Sequence, residues 1–132
     1  MWDDGIVSPT VLIVDDHEVF RASARALLQA GGFDVIGEAA GGMEAIEAVS
    51  TLRPDVVVLD IQLPDLDGLA VAQRLAEAPD PPAVVLVSGR EAATYGPRLR
   101  QTPARGFIAK SELSGTALAA LIGLIVRCSA GS

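Results

Sequence analysis

The sequence predicts an α/β domain built on a doubly wound parallel sheet of five strands, each followed by a helix in (βα)5 order. Four aliphatic runs, Val11–Val14, Val56–Leu59, Val84–Val87 and Gly106–Ala109, with a weaker one at Phe33–Gly37, are apolar almost without alternation. Such runs mark strands buried on both faces. Between them lie segments of helical spacing, and strand–helix alternation implies parallel strands joined by right-handed crossovers. Length supplies the third observation. The 132 residues are half apolar and only 4% aromatic, which makes one domain of ordinary size with an aliphatic core.

The elements follow in order. After the first run, Val19, Phe20, Ala24, Leu27 and Leu28 share one face of a helix that Gly31 and Gly32 stop. After the weak second run, Met43, Ile46, Val49 and Leu52 form the face of another, ended before Pro54. Leu69, Ala72 and Leu75 mark the third, closed by Pro79-Asp80-Pro81-Pro82. The fourth segment, Glu91–Arg105, is weaker, because Pro97 lacks the N–H a helix interior needs and Gly96 adds backbone freedom. A short or irregular helix starting near Pro97 is expected there, in the most mobile or irregular part of the fold. The last segment, Ser111–Arg127, carries Leu113, Leu118, Leu121, Ile122, Ile125 and Val126. That is more apolar surface than one buried face needs, so a homodimer or partner surface on this helix is expected. The domain is expected over residues 10–127, between tails at 1–9 and 128–132. Five βα units of this kind fit a flavodoxin-like sheet in the order 2-1-3-4-5.

Composition removes several functions. Seventeen acidic against ten basic residues give a net charge of −7, which works against neutralising phosphates, so no nucleic acid is expected to bind this chain itself. The single Cys128 cannot close an internal disulfide, which suits a reducing, cytoplasmic setting. Met1–Pro9 has two aspartates and no apolar run, unlike a signal peptide. The most apolar stretch, Ala117–Val126, is too short to span a bilayer. No membrane is expected as a partner.

The residues that follow the strands carry the chemistry. Strand one ends in Asp15 and Asp16, strand three in Asp60, strand four in Ser88 and strand five in Lys110, the only lysine. Parallel strands end on one edge, where open α/β folds place their ligands. Each residue alone has a plainer reading: the aspartates and Ser88 as helix caps, Lys110 as a surface charge. All of them on one predicted edge point to a site. Clustered carboxylates repel one another, and an all-oxygen donor set calls for a hard cation, Mg²⁺ before Zn²⁺. Carboxylates, Mg²⁺, a hydroxyl and a compact ammonium together make a phosphoryl-transfer site.

Four motifs in order resemble the receiver (phosphoacceptor) domain of two-component response regulators, over about Val11–Val126. They are VLIVDDHEVFR at Val11–Arg21, DVVVLDIQLPDLDG at Asp55–Gly68 with a Pro64-x-x-x-Gly68 turn, VVLVSG at Val84–Gly89 and GFIAK at Gly106–Lys110. The wording VDDHEVFR and the serine after Lys110 look most like the NarL/LuxR-type subfamily, whose helix-turn-helix output domain would follow the last helix. The resemblance implies that Asp60 is the phosphoacceptor, taking the group from the phosphohistidine of a sensor histidine kinase. It implies that Asp16, Asp60 and the Gln62 backbone carbonyl ligate Mg²⁺, with Asp15 acting largely through water. Ser88 and Lys110 would hold phosphoryl oxygens, and Phe107 would rotate inward as Ser88 moves.

The sequence also departs from the family. Ser111 replaces a common proline after the lysine, Ser88 replaces the commoner threonine, and Phe107 has no phenol to bond with. His17 reads as a structural residue, because no second nitrogen ligand stands near it. Asp65 and Asp67 read as turn residues, and Arg90 as a surface charge or a flank of the site. A phosphorylation-independent interaction module on the same fold is the alternative, and an aspartyl-nucleophile phosphatase is disfavoured by Gln62 standing where a second aspartate would serve as general acid.

Overall fold

A computed structural model describes residues 8–123. Five parallel strands, β1 (Thr10–Val14), β2 (Asp34–Ala39), β3 (Val56–Asp60), β4 (Ala83–Ser88) and β5 (Gly106–Ala109), form one sheet in the order β2-β1-β3-β4-β5. The helices are α1 (Glu18–Ala30), α2 (Gly42–Leu52), α3 (Gly68–Ala76), α4 (Arg98–Gln101) and α5 (Gly115–Ile122), with 3₁₀ turns at Ala92–Thr94 and Lys110–Glu112. The expected topology and strands are present. The weak second strand starts after Phe33 and runs two residues past Gly37.

Both faces of the sheet are buried, which is why its strands read as unbroken aliphatic runs. Val11, Ile13, Val56, Val58, Val85 and Val87 point to one side, under Ala24 and Leu28 of α1 and Leu118 of α5. Leu12, Val14, Val57, Leu59 and Leu86 point to the other, under Ala45 and Val49 of α2 and Leu69, Ala72 and Leu75 of α3. Each such Val or Leu stabilises the fold by about 1.5–3 kcal/mol on burial. Where α1 ends against the start of α5, a Cβ on Gly31 would lie 2.9 Å from the Gly115 Cα, so glycines allow the two backbones to touch.

Register brings the strand ends level. Asp60 pairs with Val87, and Ser88 pairs with Ala109, the residue before Lys110. The loop after β3 then turns sharply: Gly68 N–H donates to the Ile61 carbonyl at 2.8 Å, and Gln62 bridges to Asp67. A Cβ on Gly68 would collide with the Asp60 carbonyl oxygen and sit 2.6 Å from the Ile61 Cα. Gly68→Ala is therefore expected to cost about 1–3 kcal/mol by overpacking, seen as a lower midpoint in urea. An unchanged midpoint would show that the turn can relax around a methyl group.

Three expectations need correction. The α1 and α2 faces are narrower than the periodicity suggested: Val19 is 83%, Leu27 45%, Met43 59% and Leu52 41% exposed. Each helix buries one i, i+4 stripe, Ala24/Leu28 and Ala45/Val49. Val19 and Met43 lie more than about 100° around the axis from it and Leu27 flanks it about 60° from Ala24, while Leu52 sits at the α2 end against Gly37. The last helix begins at Gly115 rather than Ser111, because Ser114 caps it by accepting from Ala117 N–H at 3.0 Å. Its expected continuation through Ile125 and Val126, like most of both tails, lies outside the described residues. Asp65 does more than turn the chain: its carboxylate accepts from Gly42 N–H (2.8 Å) and Met43 N–H (3.0 Å), capping α2 from another element. Those two bonds hold the Asp65 carboxyl below its ordinary range. Asp67 caps α3 through Leu69 N–H.

The fourth segment is as irregular as expected. It holds a single 3₁₀ turn, then Gly96 in the left-handed region at φ +59°, then a four-residue helix after Pro97.

Candidate functional site

The carboxyl edge of the sheet gathers the predicted residues. Asp15 is fully buried at the end of β1, whose pairing with β2 continues through the bond from Asp15 N–H to the Ala39 carbonyl at 3.0 Å. Its Oδ1 accepts from His17 N–H at 2.8 Å and lies 3.1 Å from His17 Nδ1. Asp60 is buried at the end of β3, where its Oδ1 accepts from Gln62 N–H at 3.1 Å. From the turn just past β5, fifty residues after Asp60 in sequence, the Lys110 ammonium lies 2.5 Å from Asp15 Oδ2 and 3.3 Å from Asp60 Oδ2. It also stands 4.6 Å above the centre of the Phe20 ring, where the face of an aromatic attracts a cation.

Charge is unbalanced here. Burial pushes the Asp60 carboxyl up to about 6, the Gln62 N–H opposes it, the Asp15 charge adds to it and Lys110 opposes. Burial acts against the Lys110 ammonium as well, but the Asp15 and Asp60 carboxylates outweigh it and hold Lys110 above its ordinary value. Asp15 Oδ2 is met by the Lys110 ammonium, but that single positive charge faces two buried carboxylates, with Asp16 beside them. The surplus of negative charge favours a further cation. Asp15, Asp16, Asp60 and His17 each offer a ligand atom, all within 4.8 Å of one another. An oxygen-rich set of this kind suits a hard divalent ion, and the residues present fit Mg²⁺.

Two placements went beyond the sequence. His17 Nδ1 lies 3.1 Å from Asp15 and 3.2 Å from Asp16, inside the carboxylate cluster. Ser88 is fully buried, and its Oγ makes two hydrogen bonds, one at 2.7 Å with the Tyr95 hydroxyl and one accepted from Arg90 N–H at 3.0 Å. Neither goes to Asp60 or Lys110. Phe107 is half-buried, and its ring centre lies 6.4 Å from that of Tyr95 at a 52° tilt. Sequence reasoning missed Tyr95. The available signal was that the chain's one tyrosine stands seven residues past the site's hydroxyl.

Known proteins place the chain. The pattern of the response regulator receiver domain matches residues 11–122. BvgA, a transcription regulator of Bordetella pertussis, is 39% identical over 102 residues, covering 77% of this chain and 49% of BvgA. EvgA, a DNA-binding transcriptional activator of Escherichia coli K12, is 30% identical over 110 residues, covering 83% of this chain and 54% of EvgA. The chain thus spans about half the length of these relatives. Among solved structures, the signal receiver domain of NarL from Mycobacterium tuberculosis superposes with a TM-score of 0.76 at 32% identity, over 88% of this chain and 98% of that one. Sheet order, rim chemistry and likeness agree, and the chain belongs to the receiver domains of two-component response regulators, among relatives of the NarL/LuxR type.

Proposed function

We propose that this receiver accepts a phosphoryl group on Asp60 from the phosphohistidine of a sensor histidine kinase, in a Mg²⁺-dependent reaction, and controls a downstream output. The observation that carries this reading is one ammonium, Lys110, seated between two buried carboxylates at 2.5 and 3.3 Å. Its positive charge lies where negative charge gathers as a phosphoryl group arrives. An Asp60 carboxylate oxygen attacks phosphorus in line. The new P–O bond forms as the P–N bond breaks, and the electron pair of that bond leaves on the imidazole nitrogen. Asp60 then carries an acyl phosphate, whose oxygens Lys110 would hold from where it stands and Ser88 would reach by turning its hydroxyl away from Tyr95. Asp15, Asp16 and Asp60, with the Gln62 backbone carbonyl, would hold Mg²⁺, which when bound neutralises carboxylate and phosphoryl charge.

Phosphorylation adds charge and acceptor oxygens that a hydroxyl and an ammonium can follow. Movement of Ser88, with rotation of Phe107 into the vacated space, would turn that local event into a change of surface. Control of transcription is the output suggested by the relatives BvgA and EvgA. A cytoplasmic setting suits such a role, and no helix among the described residues is long and apolar enough to cross a membrane. A phosphorylation-independent module is the weaker reading, because both carboxylates and the lysine are assembled.

Incubation with Mg²⁺ and acetyl phosphate should add one phosphoryl group by intact mass, and Asp60→Asn should abolish the gain. A wild-type protein that binds Mg²⁺ but gains no mass would overturn the proposal. Leu121 and Ile122 on the last helix remain half-buried, and a homodimer there predicts a sedimentation coefficient that rises with concentration. A monomer at every concentration, with and without a phosphoryl analogue, would remove the dimer.

A further inference from the structure

The rim site leaves one contact unexplained, the bond between Ser88 and Tyr95. Ser88 belongs to β4, and Tyr95 to the irregular segment that precedes α4. A serine hydroxyl has one proton and two lone pairs. Here Arg90 N–H occupies one acceptor direction, and the Tyr95 hydroxyl, 2.7 Å away, takes a second partner position. The serine is sealed from solvent. The phenol is therefore the polar side chain that engages the hydroxyl in this state.

Tyr95 is itself held on two sides. Its ring packs against Phe107 of β5, and its hydroxyl ends on Ser88. It also lines a cleft of about 460 Å³ between the loop after β3 and α4, together with Gln62, Asp67 and Arg98. Three residues on, Arg98 forms an ion pair with Asp67, the N-cap of α3. The segment from Tyr95 to Arg98 is thus a strap pinned at both ends, at Ser88 and at Asp67. Between the pins lie Gly96, in the left-handed region, and Pro97, so the strap bends at a defined point.

We propose that Tyr95 is a positioning residue for the phosphoryl site: its hydroxyl latches Ser88 in the unphosphorylated protein, and phosphorylation of Asp60 releases it. Asp60 pairs with Val87, so Ser88 lies one residue along from the acceptor on the neighbouring strand. Turning its hydroxyl toward a phosphoryl oxygen gives up the bond to Tyr95. The freed phenol loosens one pin of the strap, while Arg98–Asp67 keeps the other, and the surface around α4 changes shape. A phenol from the segment after β4 thus does the hydrogen bonding that Phe107 on β5 cannot. The latch rests on the phosphoacceptor reading given above.

Tyr95 is the only tyrosine in the chain, so protein made with 3-fluorotyrosine carries a single ¹⁹F signal. Beryllium fluoride with Mg²⁺ serves as the phosphoryl analogue. In the wild type the signal should move when the analogue binds, and in Ser88→Ala it should lie displaced before any analogue is added. Tyr95→Phe keeps the ring on Phe107 and removes only the hydroxyl. It should bind the analogue about two- to tenfold more tightly, the worth of one lost neutral hydrogen bond. A ¹⁹F signal indifferent to bound analogue, or weaker binding by Tyr95→Phe, would overturn the latch. If the wild type neither binds the analogue nor gains mass with acetyl phosphate, the phosphoacceptor reading fails and the latch with it.

Discussion

Asp60→Asn is expected to raise the thermal midpoint at neutral pH while it removes phosphoryl uptake. The wild-type carboxylate is ionised at a buried position beside Asp15, and its pKa is pushed up to about 6 from an ordinary 3.8. A raised carboxyl pKa means that folding favours the protonated form. The penalty is absent below about pH 4, grows as pH rises through about 6, and is complete above that. An amide keeps an acceptor for the Gln62 N–H and carries no charge, so it escapes the penalty. The gain at pH 7.5 is about 2–3 kcal/mol, or a rise on the order of 5–10 °C in midpoint. Thermal melts of both proteins between pH 4 and pH 8 check this. The two curves should converge at the acid end, and Mg²⁺ should raise the wild-type midpoint more than that of the variant, because bound ligand stabilises by mass action. A variant no more stable than wild type at pH 7.5 would show that Lys110 already neutralises the pair.

Removal of Lys110 should act in the opposite direction. Lys110→Met keeps the length and apolar character of the stem but takes away the ammonium that lies 2.5 Å from Asp15 and 3.3 Å from Asp60. Breaking a buried pair leaves an uncompensated charge and is strongly destabilising. The Lys110 side chain is 18% exposed, so water recovers part of the loss, and about 2–3 kcal/mol is expected at pH 7.5. Adding Asp60→Asn to Lys110→Met should cancel much of the damage, because the two changes share one electrostatic contact. A double-mutant cycle in urea should give a coupling of about 1–3 kcal/mol. Additive effects would mean that Lys110 and Asp60 do not act on one another. Millimolar Mg²⁺ should restore part of the stability of Lys110→Met, since a divalent ion can replace the missing positive charge.

Both results depend on residues that were legible in the chain before any fold was known. Asp15, Asp16, Asp60, Ser88 and Lys110 stand directly after aliphatic runs, and parallel strands end on one edge whatever the details of packing. Convergence of Asp15, Asp60 and Lys110 follows from topology alone. Where a side chain points once it arrives is a separate matter. Ser88 reaches the edge but turns its hydroxyl to Tyr95, and His17 enters the carboxylate cluster although it stands alone as a nitrogen ligand.

Sequence by itself determined the layer architecture and the edge that carries the chemistry, because local hydrophobic period and crossover handedness constrain those without long-range detail; the strand order 2-1-3-4-5 came with the flavodoxin-like fold type. Only tertiary structure decided which apolar residues of α1 and α2 stay in water, since that depends on helix rotation against the sheet by a fraction of a turn. It also decided that Asp65 caps a helix twenty-odd residues away, that Gly31 and Gly115 touch, and that a tyrosine from a weakly patterned segment holds the site's serine. Each of these is a meeting of residues remote in sequence, and no periodicity along one strand or helix encodes it.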